Sequence, residues 1–312
     1  MNYTAGRNKL VVLTALGVFF SLVFIFLGAP FLRLIRNIYG AKIYWAIGGV
    51  LFFGLTIATL FPLSFLIGSC WLVVGIYSEF EERGWSNFWT AAIAVVFSTT
   101  FLVAGTFYSM KAIGLDIRED LQKSIEGVLT QLKDPNGSTS EPISFLSGMV
   151  VDTKLVISQI PSIAVIVMIV CLAYGLMMER RIAMFLRLPH ERVASQLKLL
   201  EFRIPDGFVW IAMLSFLGSF MGLQNENVAL LSMNIFNVML GLYFFQGLAV
   251  MEVVLQAFRA GPVLRFFVYF VVVFQLFFIL SAVGFIDYWV DVRRRLKNLR
   301  EKRRKQNNGE HV

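Results

Sequence analysis

The longest stretch without a charged side chain constrains the fold more than any other feature of the sequence. It runs from Ile43 to Ser78, 36 residues, and is strongly apolar. A transmembrane helix needs about 20 apolar residues, so one straight helix of this length would greatly exceed the thickness of a bilayer. Pro62 lies near its centre, where a proline cannot donate the hydrogen bond of a continuous helix. We predict two tightly connected spans, 43–61 and 63–78, with a re-entrant hairpin as the alternative.

Six further apolar segments have the character of membrane spans: residues 10–27, 88–110, 161–178, 208–222, 228–255 and 264–286. Charged residues make up only 15% of the chain and its mean hydropathy is +0.71. A soluble domain has roughly a quarter charged residues, so lipid must contact much of the exterior. The sequence therefore predicts an all-α fold, a polytopic transmembrane helix bundle of about eight spans that occupies residues 1–292 as one domain.

Residues 111–160, between spans four and five, are more polar than the segments around them. Charged side chains alternate there with apolar residues that recur every three or four positions: Ile117, Leu121, Ile125, Val128 and Leu132. This periodicity predicts an amphipathic helix. The turn-forming sequence Asp134-Pro-Asn-Gly-Ser follows, and a second amphipathic stretch runs towards residue 160. We predict an amphipathic helical hairpin that lies on the membrane or against the bundle.

The net charge of +8 has a single source near the C-terminus. Residues 293–305 contain nine Lys/Arg and one Glu, and the rest of the chain carries 19 bases and 19 acids. No separate basic face remains for a nucleic acid, which we do not expect as a partner. We interpret the basic tail, 293–312, as a topology anchor on the cytoplasmic side. The alternative is a polybasic patch that binds anionic lipid or ribosomal RNA.

The tail places the C-terminus in the cytoplasm, and eight spans then place the N-terminus there as well, in a bacterial inner membrane. Residues 179–206 would in that case face outside, although they contain six Lys/Arg. This contradicts the tendency of basic loops to stay in the cytoplasm. Either the acids of the same segment neutralise these bases, or the spans between 207 and 255 are miscounted.

Four polar residues inside or at the end of the spans are candidate ligand-binding residues, because polar groups in hydrocarbon are costly. Asn234, Asn237 and Glu252 share one face of the long segment 228–255, at 100° per residue. We predict that this face looks away from lipid. It either lines a small-molecule or ion site or forms hydrogen bonds between helices. Asp287, at the end of the last span, is the candidate for a proton or cation role.

Enzymatic activity is not expected. His190 and His311 are the only histidines, and the sequence contains no His-Glu-x-x-His motif, P-loop or serine elbow. The chain also lacks a cysteine cluster, so we expect neither a metal site nor a cofactor. Cys70 and Cys171 both lie in apolar runs, which favours buried free thiols over a disulfide.

The C-terminal third carries a set of rare polar residues at characteristic intervals: Phe202-Arg203-Ile204-Pro205-Asp206, Trp210, Asn237, Tyr243 to Val250, and Gly284 to Arg293. In these residues the chain resembles the YybS-like family of bacterial membrane proteins, a domain-of-unknown-function group. The resemblance covers about 110 residues well, and Val292 departs from an aromatic residue in the family pattern. The family has no activity to transfer. Its general form is similar to the substrate-binding subunits of energy-coupling-factor vitamin transporters and, in fold, to the rod-shape protein MreD.

Two functions remain open from the sequence. The first is a transport-related component that binds a small molecule or ion, which predicts a cavity beside the 234–252 face. The second is a non-enzymatic structural or assembly subunit that recruits protein partners through its helices and basic tail. It predicts that the same face packs against another helix. The resemblance favours the first.

Overall fold

A computed structural model describes five stretches of the chain: residues 7–114, 157–188, 202–221, 225–258 and 261–295. Regular structure in these stretches is helical, and they contain no strand, which confirms the predicted all-α fold class. The body of the predicted hairpin, 115–156, and most of the basic tail, 296–312, lie outside the described residues.

The helices in these stretches are α1 (Arg7–Val23), a 3-10 turn (Ile25–Gly28), α2 (Ala29–Tyr39), α3 (Ala41–Ile57), α4 (Phe61–Glu82), α5 (Asn87–Ile113), α6 (Ile160–Phe185), α7 (Phe208–Phe220), α8 (Glu226–Ala257), α9 (Pro262–Gln275) and α10 (Phe277–Val290).

Each of the eight predicted spans is helical over most of its length. Within the described residues, four helices are long and apolar enough to cross a membrane, namely α4, α5, α6 and α8. The consecutive helices α9 and α10 make a fifth if they count as one span, although the chain bends by 99° between them. The other apolar helices, α1, α3 and α7, are shorter than 18 residues. Length and composition therefore support a multi-pass bundle with four or five full-length crossings.

The break in the long apolar run lies just before Pro62. Helix α3 ends at Ile57, and α4 begins at Phe61 with the proline in its first turn. Proline is tolerated there because the first N–H groups of a helix have no acceptor within it. Thr59, between the two helices, has a positive φ of 61°. The run from 43 to 78 forms two helices, and the break between them lies at residues 58–60. Of the two, α4 is long enough to cross a membrane and α3 is one of the shorter apolar helices.

The described helices belong to two compact units. The first contains α1 to α4 with most of α5 and α6, and the second contains α7 to α10 with the first residues of α5 and part of the end of α6. Each unit has its own buried side chains. The units are described separately below.

In the first unit, the predicted first span ends early and a buried helix follows it. Helix α1 stops at Val23, and the 3-10 turn leads into α2. An added Cβ at Gly28 would overlap the side chain of Ser21 and the carbonyl oxygen of Gly17. The turn therefore lies directly on α1. Helix α2 buries eight consecutive residues, Ala29 to Arg36, and contacts α1, α3 and α4. No segment predicted from the sequence corresponds to this helix.

In the second unit, α7 and α8 form an antiparallel pair. Phe216 and Phe220, late in α7, contact Phe236, early in α8. Val209, at the start of α7, shares a buried cluster with Tyr243, further along α8. Helix α7 has only 13 residues, about 20 Å, so it covers only part of α8, which is about 48 Å long.

Two glycines bring the backbones of α8 and α10 into contact. An added Cβ at Gly284 would overlap the carbonyl oxygen of Tyr243, and one at Gly247 would overlap the carbonyl oxygen of Leu280. In both cases the obstacle is backbone, which cannot rotate away as a side chain can. Small residues are the usual means by which membrane helices approach this closely.

We predict that Gly284→Ala separates α8 from α10 and lowers the free energy of unfolding in detergent by about 1–3 kcal/mol, the usual cost of overpacking. The matched control is Gly49→Ala in α3, where an added Cβ would meet nothing within 4 Å. Because alanine favours helix more than glycine, the control should be neutral or slightly stabilising. Equal effects of the two substitutions on denaturant unfolding would contradict the close contact.

Candidate functional site

Gln246 connects three segments of the second unit. Its side chain is almost fully buried, with 2% exposed. The Oε1 atom accepts a hydrogen bond from the Ile204 N–H at 3.1 Å, and the Nε2 atom donates one to the Gly284 carbonyl oxygen at 2.9 Å. One amide of α8 thus binds both α10 and the segment before α7. Loss of the Gln246 amide would leave the Ile204 N–H and the Gly284 carbonyl oxygen without this partner.

Asp287 is the second buried polar residue of this region, also with 2% exposed. Its carboxylate accepts hydrogen bonds from the Val292 N–H at 3.0 Å and from Arg293 Nε and Nη2 at 3.1 and 2.9 Å. Arg293 also donates from Nη1 to the Phe202 carbonyl oxygen at 2.7 Å. Gln246, Asp287, Arg293 and residues 202–206 are called the C-terminal polar network below.

The chain reaches this arrangement through a reversal at the end of α10. Asp291 caps the helix in the left-handed conformation, with φ 49° and ψ 49°. This reversal turns the N–H of Val292 and the side chain of Arg293 back towards Asp287. An aspartate tolerates the left-handed region better than most residues, because its short polar side chain bonds locally.

Looser ion pairs lie at the exposed edge of the network. Arg203 faces Asp291 at 3.7 Å and Asp206 at 3.9 Å. Arg203 and Asp206 are 43% and 68% exposed in their side chains, so water screens their interaction strongly. The buried side of the network adjoins a hydrophobic cluster that includes Ile204 and Tyr243. Removing one partner of the inner Asp287–Arg293 pair should therefore cost more than removing one partner of an edge pair, because it leaves a buried charge uncompensated.

Two of the four predicted site residues, Asn234 and Asn237, are half-buried on α8. Asn234 Nδ2 donates a hydrogen bond to the carbonyl oxygen of Leu230, in its own helix, at 2.9 Å. Asn234 and Glu252 are 18 residues apart on one helix, about 27 Å along its axis. The predicted residues are thus divided among different places and do not form one compact site.

Glu252, the third predicted residue, joins α8 to α9. Its Oε1 atom accepts hydrogen bonds from Gln256 Nε2 at 3.0 Å and from Arg265 Nη1 at 3.2 Å. The hydroxyl of Tyr269 donates to Oε2 at 2.7 Å. The side chain of Glu252 is 18% exposed and that of Arg265 is 35% exposed. Three side chains therefore donate hydrogen bonds to this carboxylate, which is still partly exposed to solvent.

The first unit contains a further group of charged side chains, which the sequence pattern did not predict. Arg33 and Arg36 of α2 are 1% and 2% exposed and pair with glutamates at the end of α4. Arg33 binds Glu81 and donates to Ser78 Oγ at 2.8 Å. Arg36 contacts two carboxylates, at 3.0 and 2.8 Å. We call this group the arginine–glutamate cluster; its members are Arg33, Arg36, Glu79, Glu81 and Glu82.

The sequence did contain signals for the residues that were missed. Met239, Tyr243, Gln246 and Val250 follow one another at spacings of four, three and four along α8, and all are buried. This is an apolar helix face that contains one amide, and it is a different face from the one predicted to look inward. For the cluster, the signal was a pair of arginines three residues apart in a short amphipathic segment.

We predict a coupling energy of about 0.5–3 kcal/mol between Asp287→Ala and Arg293→Ala in a double-mutant cycle of unfolding. Either single substitution leaves the other charge in buried surroundings without its partner. The double variant should therefore lose less free energy of unfolding than the two single variants lose together. The exposed pair Arg203–Asp206 is the matched control, with an expected coupling below about 1 kcal/mol. Additive effects at Asp287 and Arg293 would show that the ion pair is not formed.

The chain matches a family described as predicted membrane proteins (DUF2232) over residues 10–288. No curated protein and no solved structure matches it. The match begins in α1 and ends near the C-terminus of α10, so it includes the arginine–glutamate cluster as well as Gln246 and Asp287. Because the family pattern extends over most of the sequence, the chain belongs to this family of predicted membrane proteins.

Proposed function

We propose that this protein is a non-enzymatic structural or assembly subunit of a membrane complex. The supporting observation is that three of the largest buried polar side chains join one helix to another. Gln246 links α8 to α10, and Arg33 and Arg36 link α2 to α4. A site that takes up and releases a ligand needs polar groups whose partners are exchanged easily. Groups that are buried and already paired are better suited to hold a rigid scaffold.

Asp287 illustrates this distinction. A metal ion at this carboxylate has to displace the guanidinium of Arg293, which lies six residues away in the same chain. A tethered partner competes at a high effective concentration, so a free cation is at a disadvantage. Displacement also leaves the guanidinium of Arg293 without its partner, although the side chain of Arg293 is only 15% exposed and that of Asp287 only 2% exposed. These costs support a structural role for Asp287.

A transport-related component that binds a small molecule or ion is the second candidate, and Glu252 is the observation that favours it. This carboxylate is partly exposed and its cationic partner, Arg265, is more exposed still. Arg265 lies on α9, the first half of the bent helix pair. A ligand cation that replaces Arg265 would free α9 from α8 at this point. Asn234 and Asn237 lie too far along α8 to belong to the same site.

We predict that the full chain, extracted from its native membrane in mild detergent, forms a complex of fixed stoichiometry with another polypeptide. Light scattering measures the protein mass, which should exceed the 35.4 kDa of one chain. Recovery of a monomer alone would contradict the proposal.

The second candidate predicts that a cation or vitamin raises the Tm of the protein. This rise should be absent in the variant Glu252→Gln and kept in Glu226→Gln. Glu226 is exposed on the same helix, which makes it a matched control.

We further propose that the chain is a YybS-like protein of the bacterial inner membrane and that its C-terminus lies in the cytoplasm. The basic run at 293–305 supports this orientation, since clusters of Lys and Arg are retained on the cytoplasmic side. An even number of spans would place the N-terminus on the same side. We predict that green fluorescent protein fused to the C-terminus fluoresces and that alkaline phosphatase fused there is inactive. The reverse pair of results would overturn the orientation.

A further inference from the structure

Helices α9 and α10 follow each other directly in the chain but point in different directions. The chain bends by 99° between them. Leu276 is the one residue between the two helices, with φ −116° and ψ 30°. The helical hydrogen bonds continue on both sides of it: the Leu276 N–H donates to the Val272 carbonyl oxygen, and the Leu280 N–H donates to the Leu276 carbonyl oxygen. The bend is therefore local.

The sequence at the bend contains no residue that would cause it. Proline and Gly/Ser pairs are the common local causes of a sharp kink in a helix. Residues 263–283 contain neither proline nor glycine. On local preference alone this segment would continue as one apolar helix, which is the span predicted for 264–286. A contact with another part of the fold therefore has to hold α9 away from the axis of α10.

The bend has a cost in a membrane. The last carbonyl groups of α9 and the first N–H groups of α10 have no partner within their own helix. Hydrocarbon offers them no substitute. Each helix has only 14 residues, about 21 Å, which is less than the hydrocarbon core of about 30 Å. One continuous helix from Pro262 to Val290 would measure about 43 Å and would cross the core.

Glu252 supplies a contact that holds α9 in its bent position. Its carboxylate accepts hydrogen bonds from Arg265 and Tyr269, which are one turn apart on α9. Helix α10 is instead joined to α8 by the backbone contacts of Gly247 and Gly284. Helix α10 is thus fixed to α8, and α9 is the part that can move. The side chains of Glu252 and Arg265 are 18% and 35% exposed, so another group can compete for either.

We propose that α9 and α10 form a two-state element, either bent or continuous, and that the contact of Glu252 with Arg265 and Tyr269 holds the bent state. A group that takes the Glu252 carboxylate from Arg265 releases α9, and the pair becomes one helix that crosses the membrane. Straightening restores the helical hydrogen bonds at the bend and loses the bonds to Glu252. These opposing terms are what a switch between two packings requires. The inference does not depend on the proposed scaffold function.

The test is a distance measurement on the full chain in nanodiscs, by pulsed electron paramagnetic resonance between two nitroxide labels. The labels are attached to Leu264→Cys on α9 and Trp289→Cys on α10, where the native side chains are 56% and 55% exposed. Positions 264 and 289 are about 24 Å apart with the 99° bend and about 38 Å apart in a continuous helix. Cys70 and Cys171 are buried and should stay unlabelled.

The chain with Glu252 intact should give mainly the short distance. Glu252→Ala removes the bonds to Arg265 and Tyr269 and should raise the ratio of long to short distances by about tenfold, the effect of one hydrogen bond to a charged group. Tyr269→Phe removes only the hydroxyl and should raise this ratio less. Glu226→Ala is the matched control, because this glutamate is exposed on the same helix as Glu252. The control should leave the ratio unchanged.

A second pair of labels distinguishes release of α9 from unfolding. Leu231→Cys on α8, where the native side chain is 61% exposed, is combined with Trp289→Cys on α10. The distance between these labels should be the same in all variants, because α8 and α10 stay together. If Glu252→Ala alters this distance, the fold is disturbed and Tyr269→Phe decides the question alone.

Three results would overturn the proposal. The first is a long distance between the α9 and α10 labels when Glu252 is intact. The second is a short distance that persists in both Glu252→Ala and Tyr269→Phe. The third is an equal response to Glu252→Ala and Glu226→Ala, which would show that the contact at Glu252 does not hold the bend.

Discussion

Hydrocarbon offers no hydrogen-bond partner, and this constraint accounts for the arrangement of several large buried polar side chains in both units. A polar atom in an apolar helix has to find its partner within the protein. Arg33 and Arg36 do so at the end of α4, and Asp287 does so with Arg293. Gln246 uses both ends of its amide in the same way. In each case the chain satisfies the costly group by joining two elements, so the polar residues also determine which helices pack together.

Close packing of backbones complements these contacts in the second unit. Gly247 and Gly284 remove the side chains that would keep α8 and α10 apart. Because α8 and α10 are close together, Gln246 of α8 can donate a hydrogen bond to the Gly284 carbonyl oxygen. At a wider separation of the two helices this bond would be too long to form. Glycine contact and buried amide therefore support each other.

The polar groups that remain accessible are different in kind. Glu252 has three donors but is partly exposed, and its partner Arg265 is more so. Glu252, and not the buried network around Asp287, has a surface that another molecule can reach. Buried, paired side chains therefore suit a scaffold, and accessible ones suit binding.

Hydropathy by itself determined that this is an all-α membrane bundle, since that signal comes from composition over about 20 residues. Each apolar segment that it predicted is helical over most of its length. Pro62 likewise marked a helix boundary through its own covalent geometry. The sequence did not reveal α2, whose buried arginines make it look polar, or that Gln246 joins α8 to α10. Those outcomes depend on which neighbour faces each side chain. Such pairings form between residues 38 to 45 positions apart and are decided only when the helices pack.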